Sequence, residues 1–320
     1  MPYSNPPFIW KHPILHVYRL LPVLQILIAT LVYVFTCTNV ALADNNLTAS
    51  SPLLVTHKLP ELGSSERSLH EVEVLRLALD KTVAEFGPYE LRGIPPMNRA
   101  RTLVSLSHNL YPNLVLQMSY EDELPEKQNL SYIPFPLDLG AFSYRVCFAR
   151  DELQNRKKPI RQFNDLKNYT FGSGIGWSDS KILRANGLNV VESNSVISLF
   201  RMTKAGRVDF FCRAPMEMAF EQQFQGNLGL TADQEIALYY PLPKFFFTHK
   251  DNKALLARIQ KGLEIAYADG SFHQLWRSRH GKGIEQAKLN QRRIFKLSNP
   301  LVKNLPHNYE IYLHDPLSPE

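Results

Sequence analysis

Residues 168–187 read NYTFGSGIGWSDSKILRANG and contain, in close succession, the signals of a strand, a loop and a helix. The β-prone residues Tyr169 and Phe171 lead into three alternating glycines, and a serine-containing turn then precedes helix formers that end at Gly187. Such a loop presents free backbone N–H groups and the positive end of a helix at one edge of a sheet. Because small anionic or polar ligands are commonly held there, we expect this stretch to face a ligand.

The sequence on both sides of this stretch alternates between helical and strand-like patterns. Apolar residues recur at helical spacing through residues 69–86 and 97–107, and short β-prone runs follow them at residues 89–92 and 114–118. A second alternation, residues 142–224, encloses the glycine loop. This order predicts an α/β fold with a mainly parallel sheet flanked by helices.

The first 43 residues contain no acidic residue, and an apolar run at residues 20–35 is followed by an A-x-A pattern that ends at Ala43. We expect a secretory signal peptide, residues 1–43, and a periplasmic mature protein. The alternative is an uncleaved membrane anchor. Pro22 and Gln25 interrupt the run, which is short for a full span and therefore favours cleavage.

The formal net charge is +6, and removal of Lys11 and Arg19 with the signal peptide would leave +4. The remaining charges are mixed in sign, with no basic run flanked by stacking aromatics, so nucleic-acid binding is not predicted. The glycine loop lacks the dinucleotide-binding spacing, and the histidines lack metal-ligand spacing. We therefore expect no cofactor and no metal.

Two cysteines follow the signal segment, Cys147 in YRVCFAR and Cys212 in VDFFCRA. Both runs are strand-like and apolar, which predicts that both side chains are buried. In an oxidising compartment the two could pair if their strands are neighbours, and two buried thiols are the alternative.

Three runs together resemble the family 3 extracellular solute-binding proteins, in particular a poorly characterised branch of transporter-substrate-binding-like proteins. They are DLKNYTFGSGIGWSD, SLFRMTKAGRVDFF and YYPLPKFFFTHKDNKALLARIQKGLEIAYADGSFHQLW. The resemblance implies a type II periplasmic-binding-protein fold, in which two α/β lobes close on a solute in an interlobe cleft. It implies lobe one at residues 44–140 plus 236–295, lobe two at 141–235, and an irregular tail at 296–320.

The sequence departs from the family at both positions that hold an amino acid. Family members use an arginine of lobe one for the α-carboxylate, whereas residues 119–124 here read SYEDEL. They use an aspartate after the GRVD strand for the ammonium group, whereas Arg213 or Ala214 lies there. A buried ligand charge without a counter-charge is costly, so an ordinary α-amino acid is not the expected ligand. Our hypothesis is that a cleft with acids in lobe one and Arg213 in lobe two suits a cationic or dipolar solute.

The candidate ligand-binding residues follow from these positions. Arg213 is the best charged candidate because strand ends line the cleft, although Glu217, one helical turn on, could simply pair with it. Trp177 would stack on a ligand or pack the helix start, and Ser178 would cap the helix, donate to a ligand, or both. The remaining candidates are Asp179 beside Ser178, Arg99 at a helix start in lobe one, where a solvated helix face is the alternative, and Tyr144 near the hinge.

These expectations lead to a monomeric solute-binding protein that delivers a small polar solute to a membrane permease. One alternative is an enzyme resembling the cyclohexadienyl dehydratases of this fold, with a cleft acid such as Glu121 as catalyst. Another is a membrane-tethered sensor or interaction domain.

Overall fold

The computed structural model describes residues 51–59, 65–156, 158–218, 221 and 228–317, with the side chains of the first helix from residue 69 onward. The predicted signal peptide lies outside the described residues. In the part of the chain that the structure describes, no helix is long and apolar enough to cross a membrane.

Strands and helices alternate along most of the chain. The strands are β1 (Leu53–Lys58), β2 (Tyr89–Ile94), β3 (Leu116–Ser119), β4 (Leu130–Tyr132), β5 (Tyr144–Arg150), β6 (Thr170–Gly174), β7 (Asn189–Ser193), β8 (Phe210–Arg213), β9 (Leu230–Tyr239), β10 (Lys244–His249) and β11 (Arg293–Lys296). The α-helices are α1 (Ser65–Asp80), α2 (Val83–Phe86), α3 (Arg99–Ser107), α4 (Glu123–Lys127), α5 (Asp151–Gln154), α6 (Ser178–Ala185), α7 (Val196–Lys204), α8 (Lys253–Ala268) and α9 (Ser271–Ala287).

The strands of the first lobe form a parallel pair, β1 with β2, and an antiparallel sheet in the order β3-β10-β4. The prediction of a mainly parallel sheet is therefore wrong for this lobe. The reason is that β10 arrives from more than a hundred residues downstream and inserts between β3 and β4. An isolated bridge between Thr56 and Leu114 joins β1 to the segment that leads into β3.

The core of the first lobe lies between α1, α8 and α9 and the strands beneath them. Val74, Ala78, Ile259 and Leu263 are fully or almost fully buried there. Gly262 allows the close helix contact, because a Cβ atom at this position would lie 1.9 Å from the carbonyl oxygen of Ala78. The helical spacing of apolar residues that the sequence shows therefore corresponds to two helices packed face to face.

The second lobe is built on one mixed sheet of six strands in the order β11-β9-β5-β8-β6-β7. Phe171 and Phe210 are buried on one face of the sheet, and Phe148 and Leu199 on the other. Cys147 and Cys212 are directly opposite each other in β5 and β8 and form a disulfide. The question that the sequence left open between a disulfide and two thiols is thus answered by strand pairing.

The C-terminal segment touches both lobes. β11 pairs with β9 in the six-stranded sheet, whereas Leu305 and Tyr309 are buried in the first lobe against Phe245. Between these points the chain is irregular, apart from a 3₁₀ turn at His307–Tyr312. The segment therefore runs from one lobe to the other.

Candidate functional site

The glycine loop and α6 form the edge of the second lobe that faces the first. A Cβ atom at Gly174 would lie 2.2 Å from the Trp177 indole, so glycine is needed for this ring to fold back over the loop. Ser180 Oγ donates to the carbonyl oxygen of Gly174 at 3.1 Å and holds the start of the helix against the strand. Trp177, not Ser178, is the N-cap residue, and its side chain makes no capping hydrogen bond. The interpretation of Ser178 as the cap is therefore wrong.

Ser178 donates instead to a carboxylate of the other lobe. Glu121, in the turn after β3, is 5% exposed. Its Oε1 accepts from Ser178 Oγ at 2.7 Å and from Arg99 Nη2 at 2.6 Å, and its Oε2 accepts from Lys181 Nζ at 2.7 Å. We call these four residues the Glu121 bridge. Two of the predicted binding residues, Arg99 and Ser178, are thus brought together from opposite lobes by Glu121, for which the sequence suggested only the role of a cleft acid.

Asp179 has different partners, although it is adjacent to Ser178. Its Oδ1 accepts from Arg145 Nε at 2.8 Å and from the Tyr240 hydroxyl at 2.6 Å. Burial alone would raise the pKa of Asp179, but the charge of Arg145 and the Tyr240 hydrogen bond outweigh burial and hold that pKa below its usual value. We call Asp179, Arg145 and Tyr240 the Asp179 cluster.

Arg145 is held on several sides where β5 begins. The side chain is 2% exposed, and it donates to the carbonyl oxygens of Phe142 and Tyr144. Its guanidinium carbon lies 4.2 Å from the ring centroid of Phe142 and 5.0 Å from that of Tyr240. Sequence reasoning missed this residue. The available signal was an arginine near the start of a mostly apolar strand, where it is followed by Val146, Cys147 and Phe148, a pattern that indicates a buried ion pair.

Arg213 is neutralised within the second lobe. Its Nη2 donates to Glu217 at 2.7 Å and its Nε to Glu221 at 2.8 Å, and all three side chains are buried. The guanidinium carbon also lies 5.2 Å from the Trp177 ring centroid. The pairing with Glu217 that the sequence left open is therefore present, and the Trp177 ring packs against the Arg213 guanidinium.

Charged residues that the sequence did not single out lie where the chain passes between the lobes. Lys244 Nζ is 3.2 Å from the ring centroid of Phe142, on which Arg145 also packs. Burial raises the pKa of Asp138 to about 6, although nearby Lys244 and Arg145 act to lower that pKa. Asp138 Oδ2 and Arg145 Nη2 are buried without a hydrogen-bond partner among the described residues.

Tyr144, the remaining predicted residue, lies apart from the Glu121 bridge. It pairs in register with Tyr239, and the two ring centroids are 4.9 Å apart. Burial raises the pKa of Tyr144 to about 12. Within the described ranges, no group of three or more histidine, cysteine, aspartate or glutamate side chains could hold a metal ion.

Comparisons with known proteins support the fold. No protein-family model matches the chain. An ancestral arginine-binding protein bound to arginine is 17% identical, covers 72% of this chain and 99% of its own, and gives a TM-score of 0.52. A structure from a study of glutathione import in Streptococcus mutans is 16% identical over 72% of this chain and 95% of its own, with a TM-score of 0.53.

A histidine kinase sensor domain with similarity to periplasmic binding proteins covers 73% of this chain and 98% of its own, at 15% identity and a TM-score of 0.52. At these identities the likeness establishes the fold. The chain has the type II periplasmic-binding-protein fold, two α/β lobes with an interlobe cleft, and the predicted fold class is confirmed.

One curated relative matches by sequence. Heat shock cognate 70 kDa protein 3 of Dictyostelium discoideum is 27% identical over 124 residues. The match covers 35% of this chain, and the chain spans only 19% of that relative. The activity of the longer protein is therefore not transferred to this chain.

Proposed function

We propose that this chain is a periplasmic solute-binding protein that holds a small polar solute between its two lobes and catalyses no reaction. The observation that carries the proposal is the convergence of charged side chains from both lobes at the Glu121 bridge and the adjoining Asp179 cluster. The structural neighbours named above include a protein described as arginine-binding and a structure from a study of glutathione import. Delivery to a membrane permease and a monomeric state belong to the same proposal. The proposed lobe division differs from the one that the resemblance implies, because β9 and β11 belong to the sheet of the second lobe.

The charges of the described cleft residues favour a dipolar or cationic solute. Arg213 is engaged by Glu217 and Glu221, and Glu121 fills the position at the start of α6. Arg99 and Arg213, the two arginines that the sequence indicated as candidates, are therefore both already paired with carboxylates of the chain. The unpartnered buried atoms of Asp138 and Arg145 would instead suit a solute that offers both a donor and an acceptor.

The proposal is tested by a thermal-shift screen of the purified protein against amino acids, polyamines, sugars and organic acids. A solute at a hundred times its Kd adds about 2.7 kcal/mol to the free energy of unfolding, and we expect a rise in Tm of about 5–10 °C. Calorimetric titration of the best solute then measures the stoichiometry and Kd. If none of the four classes raises the Tm, the solute-binding proposal fails, and turnover of prephenate or arogenate would favour the enzyme alternative.

A second function is favoured by the match to a histidine kinase sensor domain. In that case the N-terminal segment would remain as a membrane anchor. N-terminal sequencing of the exported protein distinguishes the two: a start at Asp44 contradicts the tethered sensor, whereas an intact N-terminus favours it.

A further inference from the structure

We propose that Glu121 acts as an intramolecular ligand, whose carboxylate occupies the anion position at the start of α6 and ties the two lobes together without a solute. The inference goes beyond the proposed function, because it concerns the chain's own carboxylate rather than any transported molecule. It makes Glu121 the residue that determines whether a free carboxylate can enter this part of the cleft.

The first argument is the origin of the donors. Glu121 follows β3 of the first lobe, and Ser178 and Lys181 belong to the first turn of α6 in the second lobe. Both carboxylate oxygens are engaged, at 2.6–2.7 Å, and the carboxylate is almost fully buried. Charge-assisted hydrogen bonds of this length are the strong ones, so the contact is specific.

The second argument is electrostatic. Arg99 and Lys181 place two positive charges on one carboxylate, and the N-terminus of the eight-residue helix α6 adds the positive end of its dipole. This is the environment in which proteins hold a bound anion. Here the anion is supplied by the chain itself.

The third argument is a second connection between the lobes, made by the C-terminal segment beside the Glu121 bridge. The Asn186 side chain, at the C-terminal end of α6, donates to the carbonyl oxygen of Ser298 at 2.8 Å. The backbone N–H of Asp122, next to Glu121, donates to the carbonyl oxygen of Leu301 at 2.7 Å. The tail therefore joins the far end of α6 to the same turn of the first lobe, which keeps Glu121 opposite the start of the helix.

This arrangement implies that a free carboxylate must displace a tethered one. A tethered group acts at an effective concentration of roughly millimolar or more, so weak carboxylate ligands are excluded. Removal of the Glu121 carboxylate should reverse both properties: the lobes should separate more readily, and the vacated position should accept a small carboxylate.

The experiment compares Glu121→Ala with the unsubstituted protein in sodium acetate and in sodium chloride at equal ionic strength and pH 7. Acetate replaces the atoms that this substitution removes. We expect the Tm of Glu121→Ala to fall by about 5 °C in chloride and to recover by at least about half in acetate, whereas the unsubstituted protein does not respond to acetate. Spin labels at the exposed positions Leu110→Cys and Ile197→Cys should report a longer interlobe distance in chloride and recovery in acetate.

Two controls separate the proposal from a general effect of charge. Glu121→Gln loses the charge but leaves no space for acetate. Its Tm should therefore be lower than that of the unsubstituted protein and should not respond to acetate. Glu123→Ala removes an exposed acid two residues away and should leave the Tm and the distance unchanged. If Glu121→Ala does not fold, the distance in Glu121→Gln decides: a longer distance supports the proposal and an unchanged one overturns it.

An acetate response equal in Glu121→Ala and the unsubstituted protein, or an unchanged interlobe distance in Glu121→Ala, would also overturn the proposal. The outcome is independent of the solute screen. Failure of that screen leaves the acetate response of Glu121→Ala as expected, and failure of the acetate response leaves the solute screen unaffected.

Discussion

Two carboxylates lie at the first turn of α6, Asp179 as a residue of the helix and Glu121 as a contact from the first lobe, and their surroundings differ. Asp179 is paired with Arg145, which is 2% exposed, and with the buried hydroxyl of Tyr240. Glu121 is itself buried, but the side chains of its partners Arg99 and Lys181 are 27% and 50% exposed. A buried partner cannot be released into water at low cost, whereas a half-exposed one can. The Asp179 cluster is thus suited to maintaining the structure, and the Glu121 bridge is suited to opening and closing.

The largest expected effect tests the Asp179 cluster. Asp179→Asn leaves the buried charge of Arg145 without its counter-charge, and we expect a loss of about 3–5 kcal/mol in the free energy of unfolding. Urea unfolding measures the loss. The matched control is Arg184→Ala, on the same helix as Asp179. It removes a surface pair with Glu192 of β7 and should cost less than about 1 kcal/mol. Equal losses of stability in the two variants would contradict the assignment of Asp179 as the counter-charge that the buried Arg145 requires.

The next largest effect concerns the disulfide, which lies wholly within the second lobe. Replacement of Cys147 and Cys212 together by alanine should lower the free energy of unfolding by about 2–4 kcal/mol, because the unfolded chain is no longer cross-linked. The interlobe distance measured with the spin labels should not change, in contrast to Glu121→Ala. A longer interlobe distance in the cysteine-free variant would show that the sheet, and not the Glu121 bridge, controls closure.

The smallest effect is expected from Asp138, near the passage between the lobes. Because burial raises its pKa to about 6 from a usual 3.8, the folded state retains the proton to higher pH than the unfolded state does. This carboxyl therefore contributes most to stability below about pH 4, and the contribution is lost as the pH rises through about 6.

Asp138→Asn should accordingly be more stable than the unsubstituted protein at pH 8, by roughly 1–3 kcal/mol, and equally stable at pH 4. Urea unfolding at intervals from pH 4 to pH 8 measures the difference. A stability difference that is the same at every pH would indicate an effect of packing rather than of charge.

Local signals in the sequence predicted several elements well. The helix predicted at residues 195–205 is α7, and Ser195 caps it by accepting from the backbone N–H of Ser198. The strand predicted at residues 169–171 is β6, and the helix predicted after the glycines is α6. The prediction of a loop through all three glycines is wrong in part, because Gly172 and Gly174 lie within β6. In each case the signal and the element occupy neighbouring residues. Short-range hydrogen bonds and helical periodicity are sufficient to indicate such elements.

The candidate site was predictable only in part. The glycine loop indicated that α6 borders the cleft, and the acidic run after β3 marked Glu121 as a residue of the opposite lobe. The contact between Glu121 and Ser178 was not predictable, because it joins residues that are 57 positions apart in the sequence and belong to different lobes. The engagement of Arg213 by both Glu217 and Glu221 likewise depends on tertiary packing after the end of β8.

The sequence by itself determined the alternation of strands and helices in much of the chain, the turn into α6 and the resemblance that implied two lobes, because these follow from local propensity and spacing. Only the tertiary structure decided that β10 inserts between β3 and β4, that Cys147 faces Cys212, and that adjacent Ser178 and Asp179 serve different partners. The physical reason is that partners are chosen by packing across long sequence separations. There, burial and the available counter-charges, rather than the residue's own type, determine which groups meet.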